Sequence, residues 1–344
     1  MKKAAVIGHF GRNELFLDGQ TVKTKTVTEW LKKEYGADQI VQYDTHRKYS
    51  FFFKSPILIF SALKRSENFV MLPAQNSLRV LTPIVVAWNT LFHRRLHYVV
   101  IGGWLPQMLT KRKALASLLK RFDYIYVETF VMKRALEDQG FCNVVVLPNC
   151  KNLCPLREDE LELDCSIPYR LCTFSRVMKE KGIEDAINAV RAINEQHNLT
   201  LFSLDIYGQV DENQKTWFAE LSKNFPQYVS YCGAVDFNQS VNVLKKYFAL
   251  LFLTYYQGEG FAGTLLDAMA AGVPVIATNW KYNTELISEE NGFIVNAHDV
   301  GSVVSLLDSI SEKDILSLKK SCLRKYTQYT PEKVMHKLIE NFGD

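Results

Sequence analysis

Short apolar runs alternate along the chain with longer stretches in which apolar residues recur every three or four positions. In the first half, the runs at 4–8, 39–43, 68–72, 97–101, 124–127 and 144–147 read as strands. The stretches 21–35, 109–120 and 130–139 read as helices between them. Residues 151–168 hold five acidic residues, two prolines and little periodicity, the pattern of a linker. A second strand series follows at 170–174, 201–207, 229–232, 249–253, 275–278 and 293–295. Strand–helix alternation predicts parallel sheets covered by helices, hence an α/β chain of two doubly wound, Rossmann-like halves facing a central cleft. Such sheets bind ligands at the carboxyl ends of their strands. That rule directs attention to the loops opening near Gly8, Gly102, Glu128, Phe174, Gly208, Thr254 and Thr278.

Composition narrows the class without changing that picture. A chain of 344 residues, 47% of them hydrophobic, fits two domains with sizeable cores. The boundaries expected are 1–165 for the first domain, with a C-terminal helix at 326–344 crossing back onto it, and 166–325 for the second. Charge is uneven. Residues 1–150 hold 22 Lys and Arg against 11 Asp and Glu, whereas the remainder holds 19 against 26. The first half is therefore expected to meet something anionic. The apolar run after Lys2 and Lys3 is too short for a signal peptide, and no run reaches the roughly 20 residues of a membrane-spanning helix. Seven cysteines without a CxxC pair argue against a disulfide framework or a zinc site and for reduced, buried thiols.

The richest chemistry lies between Leu253 and Thr278. A buried strand delivers a loop containing Gly258, Gly260 and Gly263, and a helix opens near Gly263. Glycines allow close backbone approach to a ligand, and the free N–H groups of a helix start favour an anion such as phosphate. Glu259 in that loop can accept hydrogen bonds from sugar hydroxyls, and Asp267 follows eight positions later. The run Thr264-Leu-Leu-Asp267 also fits a capping box, in which the acid serves the helix terminus instead.

At these residues the sequence resembles the family-4 retaining glycosyltransferases of the GT-B fold, whose hallmark is two acids separated by seven residues. Here the second acid is Asp267 rather than Glu. The resemblance implies that Glu259 contacts the donor sugar, that Gly260, Phe261, Ala262, Gly263 and Thr264 hold the diphosphate, and that Asp267 binds the ribose. The segment Arg176-Val-Met-Lys-Glu-Lys181-Gly resembles the family's paired cations. Arg176 and Lys181 would stabilise the charge growing on the β-phosphate as the glycosidic bond breaks. The resemblance extends to Gly208, in a glycine loop whose usual second glycine is Val210. It covers residues 170–300 well and the first domain loosely.

In the first domain, the loop after the first strand, with Gly19 and Gln20, falls where the family places a glycine loop near the donor. Gly103 and Trp104 are acceptor-side candidates, although Trp104 is equally suited to packing under its loop. Glu128 is a third, unless it serves a helix start. The resemblance implies no metal and no cofactor, the nucleotide-sugar being the substrate, with a UDP-sugar favoured over a GDP-sugar. The acceptor implied is a glycan or lipid-linked oligosaccharide of bacterial surface polysaccharide. The rival readings are an epimerase or phosphorylase of the same fold, or a non-catalytic nucleotide-sugar binder. The apolar segment 51–65 and the basic residues at 111–113 and 120–121 suit a membrane surface or, equally, a core helix followed by a solvated face. The expected location is the cytoplasm, with peripheral association at the inner face of the plasma membrane. Nucleic acid is not expected, since no recognition motif accompanies the basicity.

Overall fold

The computed structural model describes all residues except 12–18, 46–47, 163–165, 311 and 344; the side chains of 48–53 and 312–313 are also outside the description. Asp18, Cys165 and the side chains of Phe51, Phe52 and Phe53 lie outside the described residues. The chain forms two compact units, Met1–Lys151 with Pro331–Asp344, and Asn152–Thr330.

The first unit carries β1 (Lys2–Gly8), β2 (Ile40–Asp44), β3 (Ser66–Leu72), β4 (Arg95–Val99), β5 (Tyr124–Val127) and β6 (Val144–Val146). They form one parallel sheet in the order β2-β1-β3-β4-β5-β6. Its helices are α1 (Gly19–Tyr35), α2 (Lys48–Arg65), α3 (Gln75–Phe92), α4 (Leu105–Thr110), α5 (Lys113–Leu119) and α6 (Phe130–Glu137). Ala4 to Ile7 are essentially inaccessible to solvent, as strands sandwiched between helix layers require. The helix expected over 109–120 is two helices. A single helix in phase with Leu105, Leu109, Leu115 and Leu119 would bring Arg112 to the buried stripe; instead the chain leaves helical geometry at Arg112, which stays exposed.

The second unit repeats the plan with β7 (Tyr169–Phe174), β8 (Phe202–Tyr207), β9 (Val229–Gly233), β10 (Ala249–Phe252), β11 (Val275–Thr278) and β12 (Gly292–Val295). The order is β12-β11-β10-β7-β8-β9. Its helices are α7 (Ile183–His197), α8 (Lys215–Ser222), α9 (Ser240–Leu244), α10 (Gly263–Ala270), α11 (Asn283–Leu286), α12 (Val300–Ser309) and α13 (Glu312–Tyr326). On one face of the sheet, α7 and α12 bury Ile187, Val190, Val303 and Leu307 with Leu204 and Ile206. On the other, α10 and α13 bury Leu265, Met269 and Tyr326 with Leu250 and Phe252. The acidic stretch read as a linker belongs to this unit. Leu153 and Leu156 pack on its core, and the Leu156 N–H donates to the Ala270 carbonyl at 2.9 Å. Its apolar residues are too sparse to show periodicity, yet they anchor it.

The chain then returns as α14 (Pro331–Ile339), whose Val334, Met335 and Leu338 join the first unit's core beside Val27 and Leu31 of α1. Phe342 stacks on Tyr35 at 5.8 Å and lies 4.6 Å from the His97 ring. The segment 51–65, whose sequence suits a membrane surface or a core helix, falls in α2. There Ile59, Ala62 and Leu63 are fully buried and Phe60 meets Trp88 and Phe92 of α3 edge-on. Among the described residues of α2, Ile57, 73% exposed, is the large apolar residue left outside. Among the described residues no helix is long and apolar enough to cross a membrane.

Candidate functional site

In the second unit the strand order reverses between β7 and β10, so the loops leaving those two neighbours open a crevice at the switch point. The loop after β7 carries Ser175, Arg176 and Lys181, and the loop after β10 carries Thr254, Glu259 and the glycines. Sequence separation of 78 residues thus becomes direct contact: Lys181 Nζ donates to Glu259 Oε2 at 2.6 Å. The side chains are 12% and 7% exposed. Glu259 Oε2 also accepts from Thr254 Oγ1 at 2.8 Å, and that threonine is fully buried. The Lys181 ammonium lies 5.5 Å from the Phe252 ring centre and 5.3 Å from that of Tyr256. These contacts fix a carboxylate and an ammonium in a site with little water, where their charges act at reduced dielectric.

Backbone geometry explains how the glutamate gets there. The Glu259 N–H donates to the Tyr256 carbonyl at 3.2 Å, a tight turn that folds the carboxylate back under the strand end toward Thr254. Beyond it, Gly260 and Phe261 are buried, with the Phe261 ring edge-on to Tyr329 at 5.2 Å. Ala262, Gly263 and Thr264 are half-buried at the start of α10. The N-cap, Ala262, supplies no side-chain oxygen, so the first N–H groups of α10 remain an anion-attracting end.

The remaining second-unit candidates fall around this core in different states. Gly208 has φ +134°, and a Cβ there would sit 1.7 Å from the Ser175 carbonyl oxygen. Only glycine lets the loop after β8 lie against the loop after β7. Arg176 is about half exposed and reaches Asp211 at 3.5 Å; it is not in the Lys181–Glu259 contact. Asp267 is 2% exposed and accepts from Ser240 Oγ at 2.9 Å. The capping-box alternative is overturned. Thr264 lies inside α10 rather than at its N-cap, and its hydroxyl donates to the Phe174 carbonyl at 2.5 Å.

The first-unit candidates occupy the corresponding sheet end of their own unit. Gly19 and Gln20 open α1, and Gln20 Nε2 donates to the Leu72 carbonyl at 3.4 Å, at the end of β3. Gly103 is buried. The Trp104 indole N–H donates to the Ile101 carbonyl at 2.8 Å, so this ring packs on its own loop. Glu128 is 4% exposed and pairs at 2.6 Å with Lys23 of α1, which is equally buried. Among the described residues no group of three or more His, Cys, Asp and Glu side chains could hold a metal.

Sequence reasoning marked the loop at Thr254 but not the hydroxyl that holds Glu259; a threonine directly after a buried strand was the available signal. Ser240 and Asp211 gave no signal, since nothing local ties them to Asp267 or Arg176.

Residues 168–312, which span both switch-point loops, match the family described as Glycosyl transferases group 1. The GtfA subunit of a UDP-N-acetylglucosamine–peptide N-acetylglucosaminyltransferase from Streptococcus gordonii is 24% identical over 226 residues, 64% of this chain and 42% of that protein. The amylovoran biosynthesis glycosyltransferase AmsK of Erwinia amylovora is 23% identical over 187 residues, 51% of this chain and 46% of AmsK. The chain thus spans less than half the length of these curated relatives. Anabaena Alr3699/HepE, solved in complex with UDP-glucose, superposes with a TM-score of 0.73 at 12% identity, covering 98% of both chains. Two six-stranded parallel sheets with this order, and that likeness over nearly the whole chain, make the fold GT-B.

Proposed function

We propose that this protein is a retaining, metal-independent glycosyltransferase that moves a hexose-type sugar from a nucleotide diphosphate to a hydroxyl of a glycan or lipid-linked oligosaccharide. The observation that carries this reading is the buried Lys181–Glu259 pair at the switch point, beside the uncapped start of α10. In this reading Glu259 orients the donor sugar, Lys181 and Arg176 meet the diphosphate, and Gly260 to Thr264 supply backbone donors to it. As the bond from the anomeric carbon to the β-phosphate oxygen breaks, the leaving phosphate gains charge that fixed cations stabilise. The acceptor hydroxyl attacks the same face, and its proton passes to the departing phosphate. Two protein-borne cations do the work a metal would otherwise do. Asp267 is assigned the ribose, which requires its carboxylate to accept from the ribose while Ser240 holds the other side. Gly208 keeps the adjoining loop close enough to border the donor.

A uridine nucleotide is supported by the UDP-sugars of the Streptococcus gordonii and Anabaena relatives, and a glycan acceptor by AmsK, a glycosyltransferase of amylovoran biosynthesis. The first unit is assigned the acceptor. Peripheral attachment to an anionic membrane is part of the proposal, supported by the exposed basic residues at 111–113 and 120–121. Co-sedimentation with anionic but not neutral vesicles tests it.

The main test is a thermal-shift titration with UDP, GDP, ADP and CMP, followed by transfer assays with the sugar-linked form of whichever nucleotide stabilises the fold. UDP should bind, and Glu259→Ala and Arg176→Ala should each abolish most transfer. If no nucleotide binds, or both variants transfer at the wild-type rate, the assignment is wrong. An epimer or sugar phosphate as product, with no glycosylated acceptor, would replace transfer by one of the rival reactions.

A further inference from the structure

At the opposite end of the second unit's sheet, a cavity of about 120 Å³ opens beside the amino ends of β7 and β10. Its lining includes Arg170, Lys245, Lys246 and Lys319, with Glu162 as the acidic member. Lys319, on α13, is 1% exposed. Its ammonium donates to the Tyr247 carbonyl at 3.2 Å and is in no ion pair with the described residues. Two of its three protons therefore have no protein acceptor there. Burial lowers this amine to about 8, so it still carries charge at neutral pH in a place that penalises charge. Arg170 spends one nitrogen, Nη2, on Asp205 at 2.7 Å, and its other nitrogens have no protein acceptor among the described residues. Lys245 and Lys246 are exposed at the rim, where neither is ion-paired with a described residue. A buried cation with unspent donors, lining a polar cavity ringed by three more cations, is an arrangement that an oxyanion completes.

We infer that this cavity is an anion site that takes a single phosphate group, free or as the terminal phosphomonoester of a small metabolite. Charge sets the class, and a cavity of about 120 Å³ has room for several waters and hence for a phosphate group. Position sets its independence. Arg170 is the second residue of β7, whereas the Lys181–Glu259 pair lies beyond the carboxyl end of that strand. The inference therefore does not depend on the proposed transferase reaction.

The test is a titration of the full chain with inorganic phosphate and, separately, glucose 6-phosphate, at constant ionic strength set by chloride. Binding is read by calorimetry and by thermal shift. Wild type should bind saturably with one site. Lys319→Met should weaken binding by at least about tenfold, as expected when one charged donor is lost, and Lys245→Ala/Lys246→Ala should weaken it as well. Binding of inorganic phosphate alone points to the free ion, and tighter binding of glucose 6-phosphate to the esterified group; either supports the site. UDP stabilisation, measured in the same variants, should be unchanged, which shows that they fold and separates this site from the donor site. Absence of saturable binding, equal binding by Lys319→Met, or competition by UDP would each overturn the inference.

Discussion

Replacing Lys319 by Met should stabilise the protein, although it deletes a hydrogen bond. Lys319 is almost completely buried on α13, and among the described residues its ammonium has one carbonyl partner and no carboxylate. Burial lowers its pKa from the ordinary lysine value of 10.5 to about 8. At about 1.4 kcal/mol per pH unit, that difference costs the folded state about 3 kcal/mol whenever the amine is charged. Methionine keeps the length and apolar stem but leaves the Tyr247 carbonyl without this donor, a loss of about 1 kcal/mol. The expected net gain at neutral pH is about 2 kcal/mol, or about 4–8 °C in melting temperature for a unit of this size. The sign with pH follows from proton counts. Below about 8 both folded and unfolded wild type are protonated and the full penalty is present. Between about 8 and 10.5 the folded state has released its proton while the unfolded state keeps it, so wild-type stability rises with pH. The variant lacks that rise, and its advantage should shrink through the same window. Urea denaturation of both proteins in phosphate-free buffer, from about pH 7 to pH 10, measures the difference directly. A variant less stable than wild type at neutral pH, or an advantage independent of pH, would refute the reasoning.

Three further outcomes are expected. Glu259→Gln strands the Lys181 ammonium and should cost about 3–5 kcal/mol in denaturant titrations; Lys181→Met/Glu259→Gln should recover most of that stability without recovering sugar transfer. Gly208→Ala should destabilise by at least about 3 kcal/mol by calorimetry, because φ +134° is hostile to a side chain and its Cβ would sit 1.7 Å from the Ser175 carbonyl oxygen. His97 is buried between Asn68 and Tyr126, at 3.0 Å from each, and desolvation lowers its pKa to about 3. The unfolded state therefore binds its proton first as pH falls through about 6.5, so stability is lost from there toward about 3 by up to about 5 kcal/mol. His97→Gln should show a correspondingly shallower acid limb in a pH series of urea titrations.

The strands were legible because parallel strands covered on both faces appear as unbroken apolar runs. Ala4 to Ile7 and Val275 to Thr278 are examples, buried at every position. The helices were less so. The buried side of α1 is largely threonine, with Thr21, Thr24 and Thr28 inaccessible and the Thr28 hydroxyl returned to the Thr24 carbonyl at 2.7 Å. A buried stripe made largely of hydroxyl side chains does not look like a core. In α3 the opposite problem arises, since Val80 and Leu91 are exposed while Leu78, Leu81 and Val85 are buried. Apolar residues on both sides blur the helical period.

The site shows a different limit. The spacing from Glu259 to Asp267 and the pair Arg176 and Lys181 are local patterns, visible as such. What the two patterns do to each other depends on β7 lying next to β10, which follows from the order in which the strands join the sheet. Once they are neighbours, the carboxylate assigned to the donor sugar and the cation assigned to its phosphates are bonded to each other, each the counter-charge of the other where little water reaches. A diphosphate arriving at α10 must then share Lys181 with Glu259, and a sugar hydroxyl donating to Glu259 must share it with Lys181 and Thr254. Binding both halves of one nucleotide-sugar satisfies both exchanges together, because the carboxylate gains hydroxyl donors as the ammonium turns toward phosphate. A nucleotide alone offers one exchange without the other. The intact donor should therefore bind more tightly than its nucleotide in wild type, and Lys181→Met/Glu259→Gln should erase that preference in a calorimetric comparison.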